Sequence, residues 1–235
     1  MTHVTRLRNA YRRIRRIVDG LRGKDLWQSA QRRCPKISLG NPGTCWCVCP
    51  EGLTETSVIY SIGVGQEISF DLEMMRRFRL EVHAFDPTPR SIQWVRSQVL
   101  PEKFVFHPYG VADHDGMGRF LPPKNPAHVS HTLLSRETPW PAIEVPVYRL
   151  ATIMSMLGHP RIDVLKMDIE GAEYGVLADT LTCGIRPEQI LVEFHHRWPE
   201  VGVEKTRRAI AGLNNAGYRL FDVSASGEEY SFKLS

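Results

Sequence analysis

Residues 163–177 read DVLKMDIEGAEYGVL, and this stretch decides the fold. An apolar run of the kind that fills a buried strand ends in Asp168 and Glu170, and a helical pattern begins near Glu173. Burying a carboxylate without a partner is costly. We therefore expect these acids to reach the surface at the end of the strand, or to meet a group that needs negative charge.

The same change from strand to helix recurs along most of the chain. Short runs rich in β-branched and aromatic residues alternate with segments whose apolar residues repeat at steps of three and four. Such alternation is typical of a parallel sheet with helices on both faces. Residues 218–234 read as a hairpin around Ser226-Gly227, which adds an antiparallel edge. We therefore predict an α/β fold with a Rossmann-like, mostly parallel sheet.

The first 50 residues differ from the rest of the chain in charge and pattern. They hold 11 Lys and Arg against two acids, a net charge of +9, whereas the remaining residues hold 19 against 24, a net charge of −5. An apolar stripe at helical spacing runs along this segment between arginines. The stripe consists of Val4, Leu7, Tyr11, Ile14, Val18 and Leu21. We predict a basic helical N-terminal extension and linker over residues 1–50, and one domain over residues 51–235.

The sequence leaves two roles open for this extension. The helix packs on the domain or on a second copy of it, which predicts a homodimer, or it meets an acidic partner or a membrane surface. Residues 36–54, with their prolines and glycines, read as a linker.

Composition excludes several classes of protein. The absence of a run of about 18 apolar residues predicts that no segment crosses a membrane, and the Arg-rich N-terminus lacks an apolar signal core, which favours a cytoplasmic location. Basic residues gather in the first segment, so we predict no nucleic-acid partner.

Five cysteines, an odd number, do not resemble a secreted disulfide framework. Cys34, Cys45, Cys47 and Cys49 offer a zinc site, but their spacing favours buried apolar side chains.

The predicted strand ends place small and acidic residues at one edge of the sheet, where parallel sheets bind ligands. Gly63 and Gly65 end the first strand, Asp86 ends the second, and Gly110 and Val111 follow the third. The glycines let the backbone approach a ligand closely. An acid at the position of Asp86 accepts hydrogen bonds from ribose hydroxyls.

A dinucleotide such as NAD is the alternative ligand, and it would imply an oxidoreductase. Its fingerprint has a third glycine three residues after the second, at the helix N-terminus that binds pyrophosphate. Here that position is Ile68, and the preceding Glu67 repels phosphate. The strand end therefore suits an adenosine without a pyrophosphate.

An adenosine-binding α/β domain with a closing hairpin resembles the class I S-adenosylmethionine-dependent methyltransferases. VIYSIGVGQEISFD, VHAFDPTP, GVADHDG, HTLL, DVLKMDIEGAEYGVL and ILVEFHH are similar to the FkbM-type members, over residues 57–235. KMDIEGAE is the most specific segment. The family usually has DVGANIG where this chain reads SIGVGQE, and Glu-Pro where it has Asp86-Pro87. The resemblance implies S-adenosylmethionine as cofactor, bound by Gly63, Gly65, Asp86, Pro87, Gly110, Val111 and Asp168.

The resemblance also implies O-methylation of a hydroxyl on a sugar, a polysaccharide precursor or a glycosylated natural product. Amino-methylating enzymes of this fold often carry an Asn/Asp-Pro-Pro-aromatic motif where this chain has DIEG. A neutral alcohol must lose its proton to a general base, or to a site where Mg²⁺ or another divalent metal lowers its pKa. Asp168, Glu193 and His195 are the candidates for both roles, as catalytic residues or as metal ligands. The expected partner is a small-molecule or oligosaccharide acceptor.

Several of these residues also have a structural interpretation. Asp168 caps the following helix, and Glu170 and Glu173 lie in its first turn, where the helix dipole favours acids. His195 and His196 are adjacent on an extended strand, so at most one of them faces the cleft. The alternative function is a noncatalytic binding or assembly protein that uses the basic N-terminal helix.

The segment 121–149 has no periodicity of its own and contains six prolines. Segments of this length without periodicity are usually functional lids or disordered. Trp140 and Trp198 are candidate surfaces for stacking a sugar ring.

Overall fold

The computed structural model describes residues 17–121 and 141–235, which contain twelve strands and five helices besides the helical residues 17–21. The strands are β1 Ile37–Leu39, β2 Trp46–Val48, β3 Val58–Ile62, β4 Glu81–Phe85, β5 Phe104–His107, β6 Gly110–Val111, β7 Gly116–Phe120, β8 Ile143–Tyr148, β9 Val164–Met167, β10 Gln189–Glu193, β11 Tyr218–Val223 and β12 Glu229–Leu234. The helices are α1 Ser69–Phe78, α2 Pro89–Ser97, α3 Leu150–Leu157, α4 Glu173–Thr182 and α5 Gly202–Asn215.

Seven strands form a central sheet in the order β11-β12-β10-β9-β3-β4-β5. The strands from β10 to β5 in that order are parallel, whereas β12 is antiparallel to both β10 and β11. The predicted sheet with its C-terminal antiparallel hairpin is confirmed. The chain moves outward from β3 to β5 and returns to β9 on the other side of β3, so the strand order switches between β3 and β9. Open α/β sheets bind their ligands at such a switch.

Both faces of the central sheet are covered. Ile59 and Tyr60 are adjacent in β3, and their side chains point to opposite faces. Ile59 belongs to the core cluster that contains Met74 of α1, whereas Tyr60 belongs to the cluster that contains Leu150 of α3 and Val176 of α4. Helices therefore bury both sides of β3, which explains why its sequence is nearly all apolar.

A second sheet of three strands, in the order β6-β8-β7, lies beside the carboxyl ends of the central strands. β7 and β8 pair antiparallel, with Gly116 opposite Val147 and Phe120 opposite Ile143. The sequence interpretation of residues 121–149 as a lid or a disordered segment is wrong for residues 143–148, which form β8. Residues 122–140, with Trp140, lie outside the described residues.

The segment 36–54 contains a small hairpin that packs on the domain. β1 and β2 pair antiparallel, and Trp46 and Val48 are buried. Cys49 N donates to Gln189 Oε1 at 2.9 Å, and Gln189 Nε2 donates to the Cys49 carbonyl oxygen at 2.8 Å. The segment is therefore attached to β10, in contrast to the linker that its prolines and glycines indicated. The domain boundary at residue 50 stays a prediction.

Asp25 attaches the N-terminal segment to the residues that follow β10. Its buried carboxylate accepts hydrogen bonds from His196 Nε2 and Arg197 Nη2, both at 2.8 Å. Val18 and Leu21, the last members of the predicted apolar stripe, are exposed. The other four members lie outside the described residues. Among the described residues, no helix has the length and the apolar composition that a membrane span requires.

Two stacked histidines cover the outer part of the sheet face that carries Tyr60. His83 of β4 and His107 of β5 have ring centroids 5.3 Å apart, and His83 Nδ1 lies 3.1 Å from His107 Nε2. Burial, with a smaller contribution from the neighbouring His159, lowers the pKa of both side chains to about 4. Both rings are therefore neutral in the folded protein near pH 7.

Candidate active site

One pocket lies at the switch between β3 and β9. The ends of β3 and β4, the strand β6 and the loop after β9 form its walls. All seven residues predicted to bind the cofactor line this pocket, namely Gly63, Gly65, Asp86, Pro87, Gly110, Val111 and Asp168. The structure therefore brings these separate strand ends together, as expected for parallel strands whose carboxyl ends meet at one edge.

Gly63 lies where β3 and β9 approach each other at the pocket. Its φ is 84°, in the left-handed region that favours glycine. A β-carbon on Gly63 would lie 1.7 Å from the carbonyl oxygen of Asp168. The close contact of two strand ends therefore requires glycine at this position.

Asp86 organises the loop that carries the glycines. Its carboxylate is buried, with Oδ2 accepting a hydrogen bond from Gly65 N at 2.8 Å. Oδ1 accepts from Thr88 N at 2.9 Å and from Thr88 Oγ1 at 2.7 Å. A carboxylate has about four acceptor positions, so about one remains for a ribose hydroxyl. The sequence predicts ribose contacts for Asp86 but not these hydrogen bonds within the chain.

The described lining of the pocket is acidic. It includes the carboxylates of Glu67, Asp86, Asp168 and Glu170, and it contains no Lys, Arg or His. Burial raises the pKa of Glu67, but hydrogen bonds from Ser69, Asn41 and Thr44 lower it by more than burial raises it. The net shift of the Glu67 pKa is therefore downward. Glu67 is therefore ionised. Such a pocket favours a cationic ligand and opposes a pyrophosphate.

The predicted catalytic residues meet beside this pocket. Asp168 follows β9, Glu193 ends β10, and His195 lies two residues later. Each of the three offers one ligand atom, and these atoms all lie within 4.8 Å of one another. The structure therefore brings together the three residues that the sequence analysis selected, at a spacing that suits a metal ion or a shared proton.

Glu173 holds His195 in place. It is fully buried, and its Oε1 accepts hydrogen bonds from His195 Nδ1 at 3.0 Å and from His195 N at 3.2 Å. Its Oε2 accepts from Gly171 N at 2.8 Å. Nδ1 therefore carries the proton that it donates, and Nε2 faces Glu170 Oε2 at 3.4 Å and Asp168 Oδ1 at 3.8 Å. The sequence alone predicts for Glu173 only a favourable interaction with the helix dipole.

Negative charge accumulates around His195. Burial and the charges of Asp168 and Glu229 raise the pKa of Glu193 to about 9. Burial lowers the pKa of His195, but the hydrogen bond and charge of Glu173 and the nearby Asp168 raise it to about 10. One imidazole thus lies among more carboxylates than it can neutralise.

Asp168 does not cap the following helix. α4 begins at Glu173, its N-cap is Ala172, and no side chain bonds to its first turn from that position. The Asp168 side chain is 34% exposed, yet its Oδ1 is buried without a hydrogen-bond partner. The capping interpretation is therefore wrong, and Asp168 presents an acceptor atom to the cluster.

His195 and His196 point in different directions, as predicted. His195 faces the acids, whereas His196 binds Asp25. Trp198 packs against His195 with ring centroids 4.7 Å apart. Its role in stacking a sugar stays a prediction.

The cysteines show no zinc geometry in the residues that the structure describes. There, the group formed by Asp168, Glu193 and His195 is the one set of three potential ligands with converging atoms. The cysteines at positions 34, 45, 47, 49 and 183 are free thiols. Cys49 is fully buried in the core, and Cys34 and Cys47 pack against the same cluster partly buried, in agreement with the interpretation of these three residues as apolar side chains.

Residues 57–220 match the sequence model of the Methyltransferase FkbM domain. The chain is 27% identical over 175 residues to "Probable methyltransferase-like protein 24" of Rattus norvegicus, covering 70% of this chain and 42% of that protein. The protein of the same name from Homo sapiens is 27% identical over 143 residues, covering 60% and 33%. The chain thus spans less than half the length of these relatives.

Among solved structures, the chain is similar to Methyltransferase FkbM from Methylobacillus flagellatus KT. The TM-score is 0.49 at 13% sequence identity, over 77% of this chain and 44% of that chain.

Proposed function

Because the chain belongs to the FkbM family of S-adenosylmethionine-dependent methyltransferases, we propose that it methylates a hydroxyl group of a sugar or a related carbohydrate. The observation that carries this proposal is the position of Asp168. This residue lines the acidic pocket and also belongs to the cluster with Glu193 and His195. A methyl donor in the pocket and an acceptor at the cluster would therefore meet at one side chain.

The pocket residues fit S-adenosylmethionine. Asp86 retains about one acceptor position for a ribose hydroxyl, and Glu67, Asp168 and Glu170 offer negative charge without a competing cation among the described lining residues. When bound, S-adenosylmethionine supplies a methyl group on a positively charged sulfur, which keeps the electron pair of the carbon–sulfur bond on attack. The acidic lining attracts that positive charge, whereas it would repel the pyrophosphate of NAD.

The acceptor hydroxyl binds against Asp168 in this proposal. Asp168 Oδ1, the buried oxygen without a hydrogen-bond partner, would take the proton of that hydroxyl. His195, oriented by Glu173, supports the carboxylate with its positive charge. A divalent cation such as Mg²⁺, held by Asp168, Glu193 and His195, would lower the pKa of the same hydroxyl.

The test is methyl transfer from isotopically labelled S-adenosylmethionine to a panel of sugars, glycosides and free alcohols. We expect label on a hydroxyl oxygen of at least one carbohydrate. Loss of activity with EDTA and its return with Mg²⁺ or Mn²⁺ would assign the cluster to a metal, and insensitivity to EDTA would assign it to the base.

The alternative is a noncatalytic binding or assembly protein. Saturable binding of S-adenosylhomocysteine without label on any acceptor of the panel would favour that function. The identity of the acceptor and a cytoplasmic location stay predictions.

A further inference from the structure

We propose that the N-terminal segment forms a docking surface for an anionic phospholipid bilayer. Ile17, Val18, Leu21 and Trp27, here called the N-terminal patch, are 52%, 39%, 86% and 60% exposed. The other large hydrophobic residues that are exposed in the described part of the chain lie far along the sequence, at Val99, Met117 and Met156. Four apolar side chains within eleven residues, one of them a tryptophan, make a surface of the kind that enters a lipid interface.

The charge around the patch selects the lipid. Arg22 and Lys24 are exposed within the same segment, and Arg207 of α5 borders a concavity that Ile17, Leu21 and Trp27 also line. The first 50 residues have a net charge of +9 and the rest of the chain −5. An anionic bilayer therefore attracts this end of the protein and repels the remainder, which fixes the orientation of docking.

The patch is fixed to the body of the protein. Asp25 and Leu26 are buried directly beside Trp27. Asp25 binds His196 and Arg197 at 2.8 Å, and His196 is the neighbour of His195. The anchor of the patch thus lies at the carboxyl end of β10, the same edge of the sheet that carries the candidate active site. Docking would place that edge near the bilayer.

A second copy of the chain is the competing occupant, because the apolar stripe predicted a homodimer. In a symmetric dimer the same patch lies on both sides of the interface. Arg22 and Lys24 would then face, or lie near, the same cations of the other copy, and like charges oppose that contact. An anionic bilayer covers the same apolar side chains and attracts the cations.

The experiment is co-sedimentation of the full chain with two kinds of vesicle. One contains phosphatidylcholine alone, and the other contains phosphatidylcholine and phosphatidylglycerol. We expect strong binding to the mixed vesicles, little binding to the neutral ones, and weaker binding as salt increases. The Leu21→Gln/Trp27→Gln variant should bind at least tenfold more weakly. The matched control is Val99→Gln/Met156→Gln, which removes two exposed apolar side chains elsewhere and should bind like the wild type.

Three results would overturn the inference. The chain binds neither kind of vesicle, it binds both kinds equally, or the patch variant and the control variant change vesicle binding by the same amount. Light scattering without lipid covers the remaining case, since a dimer that Leu21→Gln/Trp27→Gln dissociates would assign the patch to self-association. Circular dichroism and thermal unfolding confirm that the variants are folded. No methyl donor is present, so failure of the proposed function would leave the result unchanged.

Discussion

The buried contact between Glu173 and His195 makes a sharp test of how the site is held. Glu173 accepts hydrogen bonds from His195 N, His195 Nδ1 and Gly171 N, and it is fully buried. In Glu173→Gln an NH2 group replaces one carboxylate oxygen, and that group donates hydrogen bonds but cannot accept them. One side of the contact therefore loses its acceptor, and two donors face each other. Losing a charge-assisted hydrogen bond costs about 1.5–3 kcal/mol. We therefore expect the free energy of unfolding to fall by about 2–4 kcal/mol.

Thermal unfolding and steady-state kinetics measure the two consequences. For a chain of this size, that loss lowers Tm by about 5–15 °C. Neither Glu173 nor His195 lines the cofactor pocket. Loss of the hydrogen bond to His195 Nδ1 should therefore lower kcat by about 10–100-fold while KM for S-adenosylmethionine changes little. Glu173 is a positioning residue in this account, and the separation of kcat from KM distinguishes that role from a general loss of fold.

Glu204→Gln is the matched control for the Glu173 substitution. Glu204 is 59% exposed and pairs with Arg207 at the surface at 3.4 Å. The same chemical change there should cost less than about 1 kcal/mol. The reasoning is refuted if the two variants have the same Tm and Glu173→Gln keeps full turnover.

Three further predictions concern the pocket, the cluster and the histidine pair. Asp168→Asn should lower turnover by about 100-fold or more, because the amide cannot accept the hydroxyl proton, while calorimetry shows a much smaller fall in donor affinity, because Glu67 and Glu170 keep their charge in the pocket. Gly63→Ala should reduce the free energy of unfolding in urea by about 3 kcal/mol or more, because its β-carbon meets Asp168. Gly184→Ala, also at positive φ but with open space around the added atom, should cost about 1–2 kcal/mol. Stability should fall as pH drops from 6.5 towards 4, because His83 and His107 have pKa values of about 4 when folded and take up protons on unfolding; a flat urea midpoint over that range contradicts this.

The position of the site was predictable because parallel strands end at a common edge. Gly63, Asp86 and Asp168 each follow an apolar run in the sequence, and the topology carries these ends to one pocket. The convergence of Glu193 and His195 on Asp168 follows from the pairing of β9 with β10. Local patterns identified these ends, and the parallel arrangement implied their contact.

The role of Glu173 was not predictable from local patterns. An acid at the start of a helix has a sufficient explanation in the helix dipole, so its position alone does not indicate a partner. The partner, His195, lies 22 residues later and on another element. Only the packing of α4 beside the end of β10 reveals the hydrogen bond.

The second sheet and the N-terminal hairpin were missed for a related reason. β7 has the sequence GMGRF, in which two glycines hide the strand pattern, and β8 contains Pro146. Both strands depend on pairing with each other across residues that are distant in the sequence.

Calorimetric titration of the full chain with S-adenosylmethionine, with NAD as the comparison, tests the central claim most directly. The acidic pocket at the switch between β3 and β9 predicts saturable binding of one S-adenosylmethionine per chain and no measurable heat from NAD. Binding of NAD, or the absence of S-adenosylmethionine binding by a folded chain, would contradict the account.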